Sequence, residues 1–481
     1  MRSFKEEQIG ALAPGANALA NARKISSGGG FISRLRSEDD TFYMGICKGS
    51  GKSDYVVSAD FVDEENPVFR CNCPSRQFPC KHSLALLFEI AAGKEFTVGD
   101  IPEDIRKKRE KKEAREAKKA SAAEEKPKNP RAGKAARTKK IQKQLEGLEL
   151  LRQAVSGLLN TGLSSMGSIS LKSYRELAKQ LGDYYLPGPQ AGLNRLILEV
   201  EAFQKDQDQS HYHRAVEVLK KLHGLEKKAD VYLREKLKKE DPEVDGDVLY
   251  EELGGIWKLE QLNALGLKKE NARLLQLSFQ VIFDAAKKEY ADTGWWADLD
   301  SGEIFCTCNY RPVRALKYIK QEDSCFDLVR IPCLLCYPGG MNRRVRWENA
   351  GYETTGPEHW NRLKELAWQE IRPAVKEAKN ELKNTLSEDF CGMLLAFSRI
   401  GNAETEKGSC MVAEDRTGCR IELRNRPGEE DTLTALTCLA EPELLRNQAL
   451  FGRVYYDPSD RSICMSPLSI VSDRGIVRFL F

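Results

Sequence analysis

Between residues 71 and 82 the chain reads Cys71-Asn72-Cys73-Pro74-Ser75-Arg76-Gln77-Phe78-Pro79-Cys80-Lys81-His82. Three thiols and one imidazole in so short a stretch form the donor set of a closed tetrahedral zinc site. They lie far closer together than the packing of buried cysteines requires. Cys71 and Cys73 are two apart, so an extended segment from Val68 to Cys73 projects both sulfurs from one face. Pro74 and Pro79 each lack an amide donor and fix their own φ, so the residues between Cys73 and Cys80 loop back. Leu84, Leu87, Phe88 and Ala91 then recur at helical spacing and stop at Gly93. That places His82 in the first turn of a short amphipathic helix.

Upstream, Tyr43 to Lys48 and Asp54 to Asp60 read as strands parted by a Gly49-Ser50-Gly51 turn. The local unit is therefore strands, a metal knuckle and a helix. Cys-x-Cys, a short loop and Cys-x-His running into an apolar helix resemble the SWIM-type zinc finger over about residues 40–93. The words around it, Gly49-Ser50-Gly51 before a strand and Cys-Pro-Ser-Arg ahead of Pro-Cys-Lys-His, resemble the stand-alone bacterial SWIM proteins. The resemblance implies recognition of DNA or of a protein partner, in settings such as recombination, transposition and chromatin work. For the bacterial proteins it also implies the alternative of a protein–protein scaffold serving an ATPase system, without direct nucleic-acid binding. Arg70, Arg76 and Lys81 flank the ligands, where they either balance the thiolates or reach a phosphate.

Gly51-Lys52-Ser53 imitates the end of a phosphate-binding loop, but position 46 is Ile46 where a glycine is required. A strand, Tyr55 to Asp60, also follows where a helix N-terminus would have to cradle phosphate. No nucleotide cofactor is expected. Nor is a membrane partner: no run of eighteen apolar residues occurs, and the opening Met1 to Glu7 lacks an apolar signal region. A cytoplasmic protein is expected, its fourteen cysteines reduced or bound to metal.

The net charge of +3 conceals an asymmetry. Arg106 to Lys143 holds seventeen Lys or Arg against five Glu, a local +12, which leaves −9 for the remainder. With almost no apolar side chains this stretch buries no core. It serves either as a solvated spacer or as a basic arm that neutralises phosphates.

At 481 residues the chain divides into several units. The expected fold is α+β and multidomain: a ββα-like zinc module (1–98, with an N-terminal lead-in that packs on it), a basic disordered or partly helical linker (99–143), a helical domain (144–272), an antiparallel β domain (273–356), a connecting helix (357–388) and a β-rich C-terminal domain (389–481). In the first β domain Leu275, Leu277, Phe279, Val281 and Phe283 alternate with polar residues. Pro373 should kink or divide the connecting helix. Cys306, Cys308, Cys333 and Cys336 form a pair of pairs that could hold a second metal. Ideal strand geometry, however, turns Cys333 and Cys336 to opposite faces. One structural zinc ion is expected and a second is not.

No catalytic constellation is present: no Gly-x-Ser-x-Gly, no His-Glu-x-x-His and no dinucleotide-binding glycine fingerprint. The closed zinc site leaves no position for substrate. The expectation is a non-enzymatic adaptor that recognises nucleic acid or a protein through the finger and its basic neighbour.

Overall fold

A computed structural model describes residues 4–480, apart from 5, 50–52, 64–66, 74, 76–78, 104, 107–108, 110–129, 240–244, 406–407 and 440. Contacts divide the chain into two units: 1–129 with 325–330 and 350–354, and 130–324 with 331–349 and 355–481.

In the first unit, α1 (Glu6–Ala11) and α2 (Ala16–Ser27) precede β1 (Phe31–Arg36), β2 (Phe42–Cys47), β3 (Tyr55–Asp60), β4 (Val68–Cys71), α3 (Lys81–Ala91) and β5 (Thr97–Val98). The sheet runs β4-β3-β2-β1-β5, antiparallel except where β5 joins β1. The one-sided amphipathic helix expected after Cys80 is not what forms. Every residue of α3 from His82 to Ile90 is buried. Tyr43, Val57 and Phe69 of the sheet share a core with Leu84, Leu86 and Leu87, and so do Ile9, Ala18 and Ala22 of the leading helices. The lead-in thus completes a core that a finger of this length lacks alone. Burial also encloses Glu89, whose carboxylate accepts hydrogen bonds from Ser26 Oγ (2.5 Å) and Arg34 Nε. Those partners offset the cost of an ion with no exposed surface.

The second unit begins with a bundle: α4 (Pro130–Thr161), α5 (Ser168–Asp183), α6 (Pro187–Asp206) and α7 (Gln209–Lys238), followed by the short α8 (Leu249–Glu252) and α9 (Leu259–Ala264). Leu148, Leu151, Leu158, Leu181, Leu196 and Leu222 meet in its core. The bundle starts at Pro130, inside the stretch expected as linker. Proline suits the first helical position because the amide it lacks would have no helical partner there. The expected helix from Glu110 to Ala120 lies outside the described residues.

Next come β6 (Lys268–Asp284), β7 (Glu289–Asp298), β8 (Ile304–Pro312), β9 (Leu328–Cys336), β10 (Val345–Arg346) and β11 (Gly351–Glu353), of which β11 and the first three residues of β9 belong with the first unit. The order is β10-β9-β6-β7-β8, with β11 also on β9. The far edges meet: Cys306 of β8 forms a parallel bridge with Arg344, and its amide donates to the Arg343 carbonyl (3.1 Å). In β6 the expected alternation fails. Residues 272–280 except Arg273 are buried whichever way they point, Ser278 and Gln276 included, while Phe283 is exposed. The second β domain explains this, since it packs on β6. Arg478, for instance, donates to the Gln276 carbonyl (2.6 Å).

The connecting helix is two helices, α10 (Pro357–Leu366) and α11 (Ile371–Leu382). The break falls at residues 367–370, and Pro373 sits in the first turn of α11, where a proline is tolerated. Then follow β12 (Phe390–Thr405), β13 (Gly408–Glu414), β14 (Arg420–Leu423), α12 (Thr432–Thr437), β15 (Arg446–Asp457), β16 (Ser462–Ser472) and β17 (Gly475–Arg478). The order β14-β13-β12-β15-β16-β17 closes through a parallel β14–β16 pairing. In both β domains the first strand lies between the second and the fourth, and the third and fifth close in parallel. This is the Greek-key topology of the OB barrel. The second barrel also carries a short helix, α12, between its third and fourth strands. The barrels join through Trp295, whose ring packs on Phe390 and Phe451. A Cβ at Gly392 would stand 2.7 Å from that indole, so only glycine lets β12 approach it.

Among the described residues no helix is long and apolar enough to cross a membrane. The Arg34–Glu89 pair yields a test. Arg34→Met should strand the buried carboxylate and loosen the first unit by about 3 kcal/mol. Adding Glu89→Gln should recover much of that loss. Hydrogen exchange of the α3 amides in the full chain reads both changes.

Candidate metal centre

The four predicted ligands come from two elements. Cys71 ends β4, opposite Val57 of β3. The strand stops there and Cys73 lies in the bend beyond it, so strand alternation does not place the second sulfur, contrary to the expectation from spacing. The intervening Asn72 is stitched to β3: its side-chain oxygen accepts from the Val56 amide (2.9 Å), and its own amide donates to the Val56 carbonyl (3.3 Å). Cys80 is the N-cap of α3, with no side-chain capping bond, and His82 is the second helical residue.

The ligand atoms of Cys71, Cys73, Cys80 and His82 all lie within 4.8 Å of one another. His82 Nδ1 is 3.9 Å from Cys71 Sγ and 4.0 Å from Cys80 Sγ. Two thiolates bound to one tetrahedral zinc at about 2.3 Å stand about 3.8 Å apart, so the cluster has the span of a zinc coordination sphere. Cys80 and His82 are buried and the other two half-buried. Tyr55 packs its ring on His82 (4.8 Å between centroids), which orients the imidazole.

The protons are unevenly shared. Cys80 is pushed down to about 3, above all by the hydrogen bond from the Cys71 thiol, then by those from His82 and Ser83. Its position at a helix N-terminus favours the same thiolate. Cys71 is pushed up because its proton bridges to Cys80, and Cys73 is pushed up by burial. Cys80 is thus the sulfur best prepared to be a thiolate, and a metal must displace the protons that Cys71 and Cys73 hold more firmly. Cys47, which no ligand spacing singles out, is buried at the end of β2 close enough to feel the charge on Cys80. Burial raises its thiol to about 11, which keeps it protonated. Only the inward turn of β2 betrays this neighbour.

Among the described residues the flanking cations do not gather at the site. Phe69 and Cys71 pack on the core, so Arg70 between them projects from the opposite face of β4. There it pairs with Asp60 (3.4 Å). Arg109 grips the same carboxylate (2.9 Å) and donates to Thr41 Oγ1 (3.1 Å). Lys81 is exposed on the first turn of α3. Arg76 lies outside the described residues.

The second cysteine set is not assembled. Cys306 and Cys308 are neighbours on β8, Sγ to Sγ 3.8 Å. Cys333 is exposed and Cys336 buried on β9, on opposite faces as strand alternation demands. Among the described residues the four do not converge to ligand distance.

The SWIM zinc finger family model matches residues 70–91, the segment that carries all four ligands. No curated protein matches the chain. Among solved structures, one described as "Structure of murine DNA binding protein bound with ds DNA" aligns at a TM-score of 0.21 and 10% identity, over 44% of this chain and 98% of that one. A superposition so slight carries no argument.

Two outcomes follow for zinc. Loading should expel the Cys71 and Cys73 protons and none from Cys80, so affinity should rise with pH through neutrality. Calorimetry in buffers of different ionisation enthalpy should register proton release on loading. Cys80→Ser should abolish metal content measured by emission spectrometry, whereas Cys333→Ser should leave it intact.

Proposed function

We propose that this chain is a non-enzymatic recognition protein of the cytoplasm that holds one zinc ion and engages nucleic acid through its finger unit and the adjoining basic segment. In this reading zinc serves structure. Three thiolates and an imidazole complete its coordination, tie the end of β4 to the start of α3 and leave no position for a substrate.

The observation that carries the proposal is the Arg109 clamp. Arg109 belongs to the basic run, and its bonds to Asp60 and Thr41 anchor the start of that run on the finger's own sheet. At the other end of the run, Lys139, Lys140 and Lys143 lie exposed on α4. A cationic segment anchored on a rigid sheet neutralises phosphates at a smaller entropic cost than a free tail.

The test is binding to duplex DNA as a function of salt. Deleting 110–129 and replacing Lys139, Lys140 and Lys143 with Gln removes ten Lys or Arg against five Glu, a net +5 of the run's +12, and spares the bundle, whose core includes Ile141. Affinity should fall at least tenfold at low salt, and the slope of log K against log salt should shrink by about 0.9 for each phosphate no longer neutralised. Unchanged binding would remove the basic arm from the function. No binding by the intact protein, with a stoichiometric protein partner recovered instead, would favour the scaffold alternative.

A further inference from the structure

The first barrel bears a surface that neither the finger nor the basic run accounts for. Its two halves are the β6–β7 hairpin tip, residues 285–288, and the stretch that leaves β8. Lys288 takes a left-handed conformation (φ 55°) at the tip, and its carbonyl accepts from the Val313 amide (3.1 Å). That bond holds the tip against the β8 exit. Lys287 Nζ lies 5.5 Å from the ring centroid of Tyr310, and Arg344 Nη1 donates to the Tyr310 hydroxyl (3.4 Å). Tyr310 is 40% exposed between these two cations, and Tyr318, further along, is 85% exposed. On the hairpin itself Phe283 is 50% exposed and packs on Tyr290 (4.9 Å).

Charge and shape agree here. Residues 304–321 contain Arg311, Arg314, Lys317 and Lys320 and no Asp or Glu. Arg311 is consumed by a buried pair with Asp292, but Arg314 and Lys317 face solvent. Of the acids on the hairpin, Asp284 pairs with Arg195 (2.7 Å) and Glu289 lies 3.7 Å from Lys287. Glu251 also pairs with Arg344 (2.8 Å), so the cations left to solvent are Lys288, Arg314 and Lys317, with exposed flat rings interleaved among them.

The second barrel acts as an internal contrast. Around its corresponding strands, β13 and β14, Arg399 of β12 and Arg420 of β14 both close on Glu414 of β13, and Arg424, just past β14, closes on Glu422, Asp457 and Asp460. Among the described residues of those two strands no aromatic ring is exposed. The same topology therefore bears two different surfaces, and side chains, not the fold, set the difference.

We infer that the β6–β7 tip and the β8 exit of the first barrel form a binding track for single-stranded nucleic acid. Tyr310 and Tyr318 stack on bases, and Lys288, Arg314 and Lys317 meet phosphates. Exposed rings between cations suit a polyanion with free planar faces. A duplex hides those faces, and a neutral glycan has no use for the charge. The track is distinct from the finger and the basic run, and it stands whether or not they bind duplex.

The experiment uses the full zinc-loaded chain and fluorescein-labelled oligo(dT) and oligo(U) of about 15 nucleotides, within the reach of one such barrel. Anisotropy should show Tyr318→Ala and Tyr310→Ala each weakening binding about tenfold, with Tyr310→Phe close to the parent. Arg314→Gln with Lys317→Gln should lower the salt slope by about 0.7 for each phosphate left without its cation. Duplex binding should be unchanged in all of these, and deletion of 110–129 should leave the Tyr318→Ala effect in place. Tyr318 is almost wholly exposed, so its replacement tests the surface without threatening the fold. Equal oligonucleotide affinity for Tyr318→Ala, Tyr310→Ala and parent would overturn the inference. So would equal losses on duplex and single strand.

Discussion

The first unit depends on a helix that has no solvent face. Because α3 is buried from His82 to Ile90, its start is held from two sides, and that packing positions Cys80 and His82. A half-exposed helix would leave that first turn free to fray, and helix ends fray first. Close packing instead passes the rigidity of the core to the ligands. The cost of this burial is Glu89, an ion in apolar surroundings that Arg34 and Ser26 compensate.

The ligand cluster also has a charge arrangement of its own. A thiolate is favoured at the helix N-terminus, where a thiol, an imidazole and a hydroxyl stabilise Cys80, while the other two sulfurs hold their protons more firmly. A site so arranged has a preferred first contact for a cation, and the remaining protons make its affinity follow pH. Two nearby cations are engaged elsewhere: Arg70 and Arg109 converge on Asp60 across the sheet. Their meeting links the finger to the basic run that follows it, which gives a structural role to a residue whose sequence context suggested only charge.

In the second unit the governing constraint is closure. An open sheet exposes unpaired edge groups, and each β domain removes them by bringing its third and fifth strands together, once through Cys306 and Arg344 and once through β14 and β16. Closure also explains why the cysteine set fails as a metal site. It seats Cys306 beside the residue preceding β10, whereas Cys333 and Cys336 lie on β9 and point to opposite faces. The two barrels share a topology yet differ in surface, since the second spends its cations on its own acids and the first leaves Arg314 and Lys317 to solvent.

Features of this chain that local chemistry dictates were legible in its sequence. Cys71, Cys73, Cys80 and His82 stood out because a donor set that dense has one ordinary use, and the helix after Cys80 because its apolar period is short-ranged. The mixed α+β order was legible for the same reason. Features that depend on partners distant along the chain were settled in three dimensions. Burial of both faces of β6 and all faces of α3 needed the elements that cover them, which no period within the segment records. The start of the bundle at Pro130 needed the apolar positions further along α4 to find α7, which overrode a composition that reads as solvated. Barrel closure likewise rests on pairing between strands tens of residues apart, where the chain's local preferences are silent and the cost of unpaired edges decides.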